Sequence, residues 1–160
     1  MAHDSSQCDE PLNWGAAFFG WIMPGLGQVS IGHAKRGILA GSGILGLFVG
    51  GLLIGGVDCV DRHEDPLWFY AQVGAGPIAL ASDWANSALL KSGTVGELVD
   101  TPSPLPRATP AKVSSFKTVT PANEIGTLYC ALAGLMNVVV IFDALKRTRA
   151  EAPAGSGRNR

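Results

Sequence analysis

Charged residues are scarce in this sequence of 160 residues. Asp, Glu, Lys and Arg make up 16% of the chain, against about 25% in typical soluble domains. The few charges lie at the ends and in the connections, which leaves long uncharged runs at residues 11–32, 37–57, 66–82 and 125–142. A soluble domain would carry charges along its exposed helix faces. The distribution therefore indicates an all-α membrane protein with three to four transmembrane or re-entrant helices.

The sequence also lacks the residue patterns of catalysis and of metal binding. It contains no nucleophilic Gly-x-Ser-x-Gly turn after a strand and no phosphate-binding loop. The three histidines are scattered, and the three cysteines match neither a zinc pattern nor a disulfide framework. The net charge of −1 gives no basic surface for nucleic acid. We therefore expect no enzyme activity, no catalytic residue, no metal, no cofactor and no nucleic-acid partner.

Glycine is abundant in the second run, 37–57, which is uncharged over about 20 residues and long enough to cross a hydrocarbon core. Gly46 and Gly50 lie one helical turn apart, and Gly51 and Gly55 repeat the spacing. In water each glycine would destabilise a helix by about 1 kcal/mol relative to alanine, whereas in a membrane it lets a neighbouring helix approach closely. We predict a transmembrane helix with these four glycines on its packing faces.

Proline and glycine interrupt the first and third runs. Pro24, Gly25 and Gly27 break the first run, and Pro77 breaks the third. The first run is either a kinked span or a shorter helix that turns at these residues, and we favour the kinked span. The third run, with about 17 uncharged residues, is near the lower limit for a span.

The last run contains one strongly polar residue, Asn137, near its centre. Lipid cannot satisfy the hydrogen bonds of an amide, so Asn137 should face another helix. Gln72 and the backbone carbonyls near Pro24 or Pro77 are its candidate partners. Gly134, one turn before Asn137, would let that neighbour come close, and both residues are predicted to be helix-packing residues.

The remaining segments are polar and define the domain boundaries. Five prolines among Ser, Thr and Lys predict an extended or disordered linker at 91–123, with a docking segment for a partner as the alternative. The membrane domain then comprises residues 11–90, with the first three apolar helices, and the last transmembrane helix covers 124–147. The acidic N-terminus, 1–10, and the tail, 148–160, are expected to be disordered.

An acidic connection follows the second run, at residues 58–66. It holds four carboxylates together with Cys59 and His63. Such ligands suit divalent cations, but their spacing matches no known metal-binding pattern. We expect a solvated turn between two helices, with a metal site as the alternative.

Basic residues constrain the orientation of the chain. The connection with Lys35 and Arg36 lies in the cytoplasm by the positive-inside rule, and a second basic cluster, 146–149, follows the last run. Four full spans would place the two clusters on opposite sides. Both clusters stay inside if the first and third runs are both re-entrant. They also stay inside if the chain starts outside and the third run alone is re-entrant, which is the arrangement we prefer.

The opening of the chain resembles a motif of small bacterial membrane proteins, P-G-x-G-Q…G…K-x-G. The motif is carried by Trp21-Ile-Met-Pro24-Gly25-Leu-Gly27-Gln28, then Gly32, then Lys35-Arg36-Gly37. Those proteins include the two-transmembrane hairpin domain and an uncharacterised family with further spans. The far end of that family is similar to Glu124-Ile-Gly126-Thr, Ala133-Gly134-Leu-Met-Asn137 and Asp143-Ala144. The resemblance implies a multi-pass protein of the bacterial inner membrane with a compact four-helix unit, and it implies no activity.

Two functions of different classes fit these features. The first is a structural or accessory subunit whose glycine faces pack, within the lipid bilayer, against a membrane-protein complex or a second copy of the chain. The second is a small transporter or channel, with the broken helices at Pro24 and Pro77 lining a path. We favour the first, because Gln28, Gln72 and Asn137 supply few buried polar groups for a path.

Overall fold

The computed structural model describes residues 12–62, 65–101, 111–115 and 120–146. These residues form mainly α-helix, as predicted. The helices are α1 (Trp14–Ile22), α2 (Leu26–Ser30), α3 (Ala34–Gly55), α4 (Pro66–Val73), α5 (Pro77–Ala85) and α6 (Thr120–Lys146), and the strands are β1 (Leu98–Thr101) and β2 (Ala111–Ser114). A 3₁₀ turn at Val57–Cys59 follows α3, and a π-helical turn at Asn86–Lys91 extends α5.

The long helices α3 and α6 form the centre of the molecule and run antiparallel. At one end a Cβ on Gly51 would lie 2.9 Å from the carbonyl oxygen of Gly126, so the two backbones touch. At the other end Arg36 forms an ion pair with Asp143, at 3.6 Å. Both helices are long and apolar enough to cross a membrane, over Ala34–Gly55 and Pro121–Lys146, and they alone are so among the described helices. Two candidate spans are therefore present, rather than the three or four that the four apolar runs would allow.

The first apolar run folds back on itself to form a hairpin of α1 and α2, which we call the first hairpin. The backbone N–H of Asn13, before α1, donates to the carbonyl of Leu145 at 2.9 Å, and Gln28 in α2 donates to Asp143. Both ends of the hairpin thus lie at the C-terminal end of α6. The predicted kinked span is therefore wrong.

Glycine explains why the first run turns back. Gly25 has a φ of +86°, which only glycine adopts without strain, and it reverses the chain directly after Pro24. The sequence predicted Gly27 as part of the break, but Gly27 lies inside α2. A Cβ there would lie 2.4 Å from the carbonyl oxygen of Ala16. The missing side chain therefore lets α2 pack directly on α1.

The third apolar run forms a second hairpin, of α4 and α5, at the opposite end of the long helices. Gln72 in α4 donates to the carbonyl of Cys59 at 2.9 Å, and Asn86 after α5 donates to Asp61 at 3.3 Å. Both legs therefore contact the turn that follows α3. The break lies at residues 74–76, and Pro77 is the first residue of α5, where its missing N–H costs no hydrogen bond. The third run therefore turns back, as in the arrangement preferred from the sequence, where this run is re-entrant.

A hairpin followed by a long helix occurs twice in the chain, and the two units run in opposite directions. Each hairpin precedes one long helix: the first precedes α3, and the second precedes α6. Because α3 and α6 are antiparallel, the hairpins enter from opposite ends. The main hydrophobic core lies between the long helices and the second hairpin, around Ile44, Phe48, Phe69 and Cys130.

The predicted linker contains the two strands. β1 and β2 pair antiparallel, with Val99 opposite Val113 and Asp100 opposite Lys112. The helix after them begins at Thr120, four residues before the predicted start of the last span. Residues 102–110 and 116–119 of the linker, the acidic N-terminus 1–10 and the tail 148–160 lie outside the described residues.

Candidate functional site

Asn137 joins the two hairpins where their tips meet. Its side chain is fully buried in α6, and its Nδ2 donates to the carbonyl of Gly20 at 3.1 Å and to that of Gly74 at 2.9 Å. Gly20 belongs to α1, and Gly74 lies at the break after α4. The sequence offered Gln72 or a carbonyl near Pro24 or Pro77 as the partner of Asn137. The amide contacts one carbonyl near each proline, whereas Gln72 donates to the carbonyl of Cys59.

The proline at each break removes the helical donor of one carbonyl near the tip. In an unbroken helix the carbonyl of Gly20 would accept from the N–H of residue 24, but that residue is a proline and has no N–H. Pro77 likewise removes the donor that would face the carbonyl of Val73. The Val73 carbonyl accepts instead from the backbone N–H of Gly76 at 2.9 Å and from the indole Nε1 of Trp21 at 3.2 Å. Asn137 thus replaces the hydrogen bond that Pro24 removes, and Trp21 joins the first hairpin to the break of the second.

The tips are in direct backbone contact. Gly76 has a φ of +96°, and a Cβ there would lie 2.0 Å from the carbonyl oxygen of Trp21. On α6 a Cβ at Gly134 would lie 2.0 Å from the carbonyl oxygen of Ala71. No side chain larger than hydrogen fits at either position. The junction is therefore closed by glycine-to-backbone contacts.

Four buried amides, each at most 1% exposed, share one feature. Each donates through its nitrogen to an oxygen of the protein, which fixes its orientation, because the reverse orientation would bring two oxygens together. Each leaves its own oxygen without a hydrogen-bond partner among the described residues. A bare amide oxygen can accept from water or from a solute N–H or O–H, or coordinate a cation. The four residues are Gln28, Gln72, Asn86 and Asn137.

The acidic turn after α3 is buried in its first half and exposed at Asp65, so the predicted solvated turn is wrong for Asp58 and Asp61. Asp58 and Asp61 are at most 8% exposed, and so is Asp83 of α5. Asn123 donates to Asp58 at 3.1 Å, and Lys91 forms an ion pair with Asp61. Asp83 has a similar partner in Arg62, at 3.4 Å. Donors from distant segments make this burial tolerable, because a buried carboxylate is costly unless it is paired.

The alternative interpretation of the acidic turn, a metal site, finds no geometric support. Within the ranges that the structure describes, no group of three or more His, Cys, Asp or Glu side chains could hold a metal ion. His63 lies outside those ranges. The buried carboxylates of this turn, Asp58 and Asp61, bind amide and ammonium groups of the protein itself.

The predicted packing glycines divide into two groups. Gly51, Gly55 and Gly134 pack against backbone of a neighbouring helix. Gly46 and Gly50 do not, since a Cβ at either would meet nothing within 4 Å. Both spacings of four residues look the same in sequence, but one pair faces α6 and the other faces away from the described chain.

Sequence reasoning missed two features of the molecule. Asn86, fully buried between Val60 and Asp61, gave no signal because it follows a run of mixed polarity. Cys59 and Cys130 lie with their Sγ atoms 3.8 Å apart, although 71 residues separate them in the chain. The breaks at Pro24 and Pro77 did carry a usable signal, because a proline always frees the carbonyl four residues before it.

Comparison with known families gives one match. The model of a family of unknown function, DUF6677, covers residues 15–155. The chain belongs to this family. The DUF6677 match extends over both hairpins and both long helices, so the whole described fold is the family's domain. Comparisons with curated proteins and with solved structures gave no match.

Proposed function

We propose that this DUF6677 protein is a multi-pass membrane protein in which α3 and α6 cross the bilayer and the two hairpins are re-entrant from opposite sides. Large apolar side chains on the outer faces support this, for example Leu39 at 77% exposed and Leu53 at 82%. Contiguous exposed apolar surface is rare on soluble monomers, and it fits contact with lipid. The irregular backbone at the tips is buried in protein, as the interior of a bilayer requires.

The basic end of the molecule lies in the cytoplasm in this proposal. Lys35 and Arg36 start α3, and Lys146 ends α6, at the same end of the antiparallel pair. The positive-inside rule assigns that end to the cytoplasm. The motif that resembles small bacterial membrane proteins supports the bacterial inner membrane as the location. Catalysis, a cofactor and nucleic-acid binding form no part of the proposal, because no residue pattern in the chain supports them.

The function we favour is a structural subunit that assembles through α3. The observation that carries it is a stripe of three open glycines, Gly43, Gly46 and Gly50, none of which has an atom within 4 Å of its virtual Cβ. Their spacing of three and four residues places them on one face of the helix, and exposed Leu39 and Leu53 continue that face at both ends. A glycine stripe between leucines forms a shallow groove along a transmembrane helix.

A second copy of the chain is the proposed occupant of this groove. Glycine stripes of this kind are self-complementary, because each helix presents both the groove and the flanking leucines to a twofold-related copy. Close approach gains dispersion contacts and weak Cα–H···O bonds, which lipid chains do not supply as well. Facing lipid, the same glycines would forgo side-chain contacts without any gain.

The test is the oligomeric state in a bilayer. Gly46→Ile and Gly50→Ile should convert the assembly to monomers, since either side chain would hold the facing helix away. Gly15→Ile is the matched control, because Gly15 is equally open but lies on α1. Energy transfer between labelled copies in liposomes, with light scattering in mild detergent, measures the outcome. A monomeric wild type at every protein-to-lipid ratio, or an unchanged oligomer in both stripe variants, contradicts the proposal.

A second candidate function, a small transporter or channel, is favoured by the opposed tips. Interrupted helices that meet near the middle of the bilayer are typical of solute sites in transporters. Three side-chain amide oxygens without a hydrogen-bond partner among the described residues lie along α6, from the level of Asp143 to that of Thr127. They belong to Gln28, Asn137 and Gln72. At the acidic end a cavity of about 410 Å³ is lined in part by Asn123 and Thr127. This candidate requires the closed junction to open.

Flux through reconstituted liposomes distinguishes the two candidates. The probes are water, glycerol, urea, ammonium, sodium and potassium, because each can bind to amide oxygens. If the junction is a path, at least one probe should cross faster than in empty liposomes, and Asn137→Leu should abolish the increase. Met136→Leu, at a half-exposed neighbouring position, is the control. Rates equal to those of empty liposomes for every probe remove the transport candidate and leave the assembly function.

A further inference from the structure

Two free thiols lie in contact in the core near the acidic end. The Sγ atoms of Cys59, in the turn after α3, and Cys130, in α6, are 3.8 Å apart. The two residues are 3% and 0% exposed. Cys130 also contacts the carbonyl of Phe48 at 3.4 Å, and Cys59 that of Gly51 at 3.9 Å. Each thiol therefore has the other as a close neighbour, and each has a weak backbone acceptor.

The local structure leaves room for the two sulfur atoms. A Cβ on Gly51 would lie 2.7 Å from the Sγ of Cys130, so any other residue at position 51 would displace that thiol. The partners lie on elements that are already fixed, because Thr127 of α6 donates to the carbonyl of Cys59 at 3.1 Å and Gln72 donates to the same carbonyl. The backbone of the turn is thus held against α6 independently of the thiols.

We propose that Cys59 and Cys130 form a disulfide bond in the mature protein. A disulfide requires the sulfurs to approach to about 2.05 Å, and side-chain rotation of two thiols already in contact can supply that approach. The compartment follows from the proposed orientation, on which this inference rests. The pair lies at the end opposite Lys35 and Arg36, on the side away from the cytoplasm, where disulfides form and persist.

The oxidant in this proposal is a disulfide of a thiol oxidant outside the cytoplasm, which reaches Cys59 when the turn after α3 opens locally, since the thiol is only 3% exposed in the closed structure. The Cys59 thiolate attacks one sulfur of that disulfide, whose S–S bond breaks and releases one thiol, leaving a mixed disulfide on Cys59. Cys130 then attacks the Sγ of Cys59, and the second oxidant thiol leaves. The two protein thiols lose two electrons and two protons in total, and the oxidant takes up both. The hydrogen bond from the Cys130 thiol lowers the pKa of Cys59 below its ordinary value, which fits Cys59 as the first nucleophile.

The bond would attach the turn after α3 to α6 covalently. The closed loop contains the whole second hairpin and both strands, because all of them lie between residues 59 and 130. A cross-link that closes a long loop stabilises mainly by restricting the unfolded chain. The acidic turn, with its buried carboxylates, would then be retained even when the second hairpin moves.

Thiol counting on the full-length protein tests the proposal. Cys8→Ser leaves the two cysteines of interest, and Cys8→Ser with Cys59→Ser is the matched control with one. Membranes are quenched with N-ethylmaleimide in denaturant, and the intact mass is measured before and after reduction. The two-cysteine protein should take up no maleimide until it is reduced, and should be lighter by the two thiol hydrogens. The control should be alkylated at once. Reduction should lower the Tm of the two-cysteine protein and leave that of the control unchanged.

Two maleimide adducts without prior reduction overturn the proposal. In that case diamide, a small oxidant chosen because both thiols are at most 3% exposed, is added to the purified, folded protein in detergent. If the disulfide then forms rapidly, the proposed orientation is wrong, because the thiols of the protein in the cell face a reducing compartment. If no disulfide forms in the purified protein either, the geometry of the two cysteines does not allow the bond, and the membrane assignment is unaffected.

Discussion

At the scale of single residues, Asn137 is the position where one side chain maintains the contact of three elements. Its amide supplies a hydrogen bond to a carbonyl on each hairpin, one of which lost its helical donor to Pro24. Hydrogen bonds between helices in membranes are worth about 0.6 kcal/mol each on average, and a buried carbonyl left without a donor costs about 1–3 kcal/mol.

Asn137→Leu should therefore destabilise the protein by about 1–2 kcal/mol, even if Asn137 serves no path. Reversible unfolding in mixed micelles measures the difference. Val139→Leu, at a position 67% exposed on the same helix, should change stability by less than about 0.5 kcal/mol. Equal stability of wild type and Asn137→Leu would show that the two bonds to the hairpins do not form.

The two kinds of glycine give a second prediction at the same scale. Gly134→Ala places a Cβ 2.0 Å from the carbonyl oxygen of Ala71, so the second hairpin must move, at a cost of at least about 2 kcal/mol. Gly46→Ala meets nothing within 4 Å and should leave the stability of the monomer unchanged, or raise it by up to about 1 kcal/mol through better helix propensity. Thermal unfolding of both variants in the same detergent measures the contrast. Similar losses at both positions would mean that the assigned faces of the helices are wrong.

At the scale of elements, the hairpins depend on glycines that combine positive φ with backbone contact. Gly76 has both features, since its φ is +96° and a Cβ would lie 2.0 Å from the carbonyl oxygen of Trp21. Gly93 has a φ of +73° but faces only the flexible side chain of Leu98, at 3.0 Å. Comparing substitutions at Gly76 and Gly93 therefore separates the cost of backbone strain from the cost of breaking the contact between the hairpin tips.

Gly93→Ala should cost about 1 kcal/mol, the strain of positive φ for a residue with a Cβ, whereas Gly76→Ala should cost at least about 2 kcal/mol more because the tips must separate. Their difference in Tm measures the contribution of the tip contact. If Gly76→Ala is no worse than Gly93→Ala, the two hairpins are not joined at this point.

The elements also show how far sequence reasoning can reach. The long helices and the breaks at Pro24 and Pro77 were predictable, because charge-free length and the chemistry of proline are local properties. The reversal at Gly25 was not, since a proline-glycine break permits both a kink and a turn. What decides between them is tertiary contact, such as that between Gln28 and Asp143, 115 residues apart.

The burial of Asp58 and Asp61 and the division of the glycines could not be predicted, for the same physical reason. Carboxylates are usually solvated, and only donors from other segments, such as Lys91 and Asn123, make burial affordable for Asp61 and Asp58. The glycine pairs of α3 have identical spacing, and only the position of α6 determines which pair is covered. A sequence shows which residues could pack closely, but not which of them meet a neighbour.

At the scale of the whole molecule, the fold places the basic residues Lys35, Arg36 and Lys146 at one end and the buried carboxylates Asp58, Asp61 and Asp83 at the other. The repeated order of hairpin and long helix achieves this, because two antiparallel long helices return the chain to the end at which it began. In the proposed membrane arrangement, this satisfies the positive-inside rule with an even number of spans. The sequence permits this solution, although the arrangement preferred from the sequence alone has the first run cross the membrane.

The position of the N-terminal end separates the two arrangements experimentally. Single cysteines at Leu12, Lys35 and Asp65, all exposed, are introduced into a protein whose native cysteines are replaced by alanine. With both hairpins re-entrant, a membrane-impermeant maleimide added to intact cells should label position 65 and spare positions 12 and 35. After permeabilisation all three should react, because both ends of the first hairpin then become accessible. A first run that crosses the bilayer would instead expose position 12 together with position 65. Labelling of position 12 in intact cells, with position 35 still protected, would therefore exclude the two-hairpin architecture and restore the kinked span.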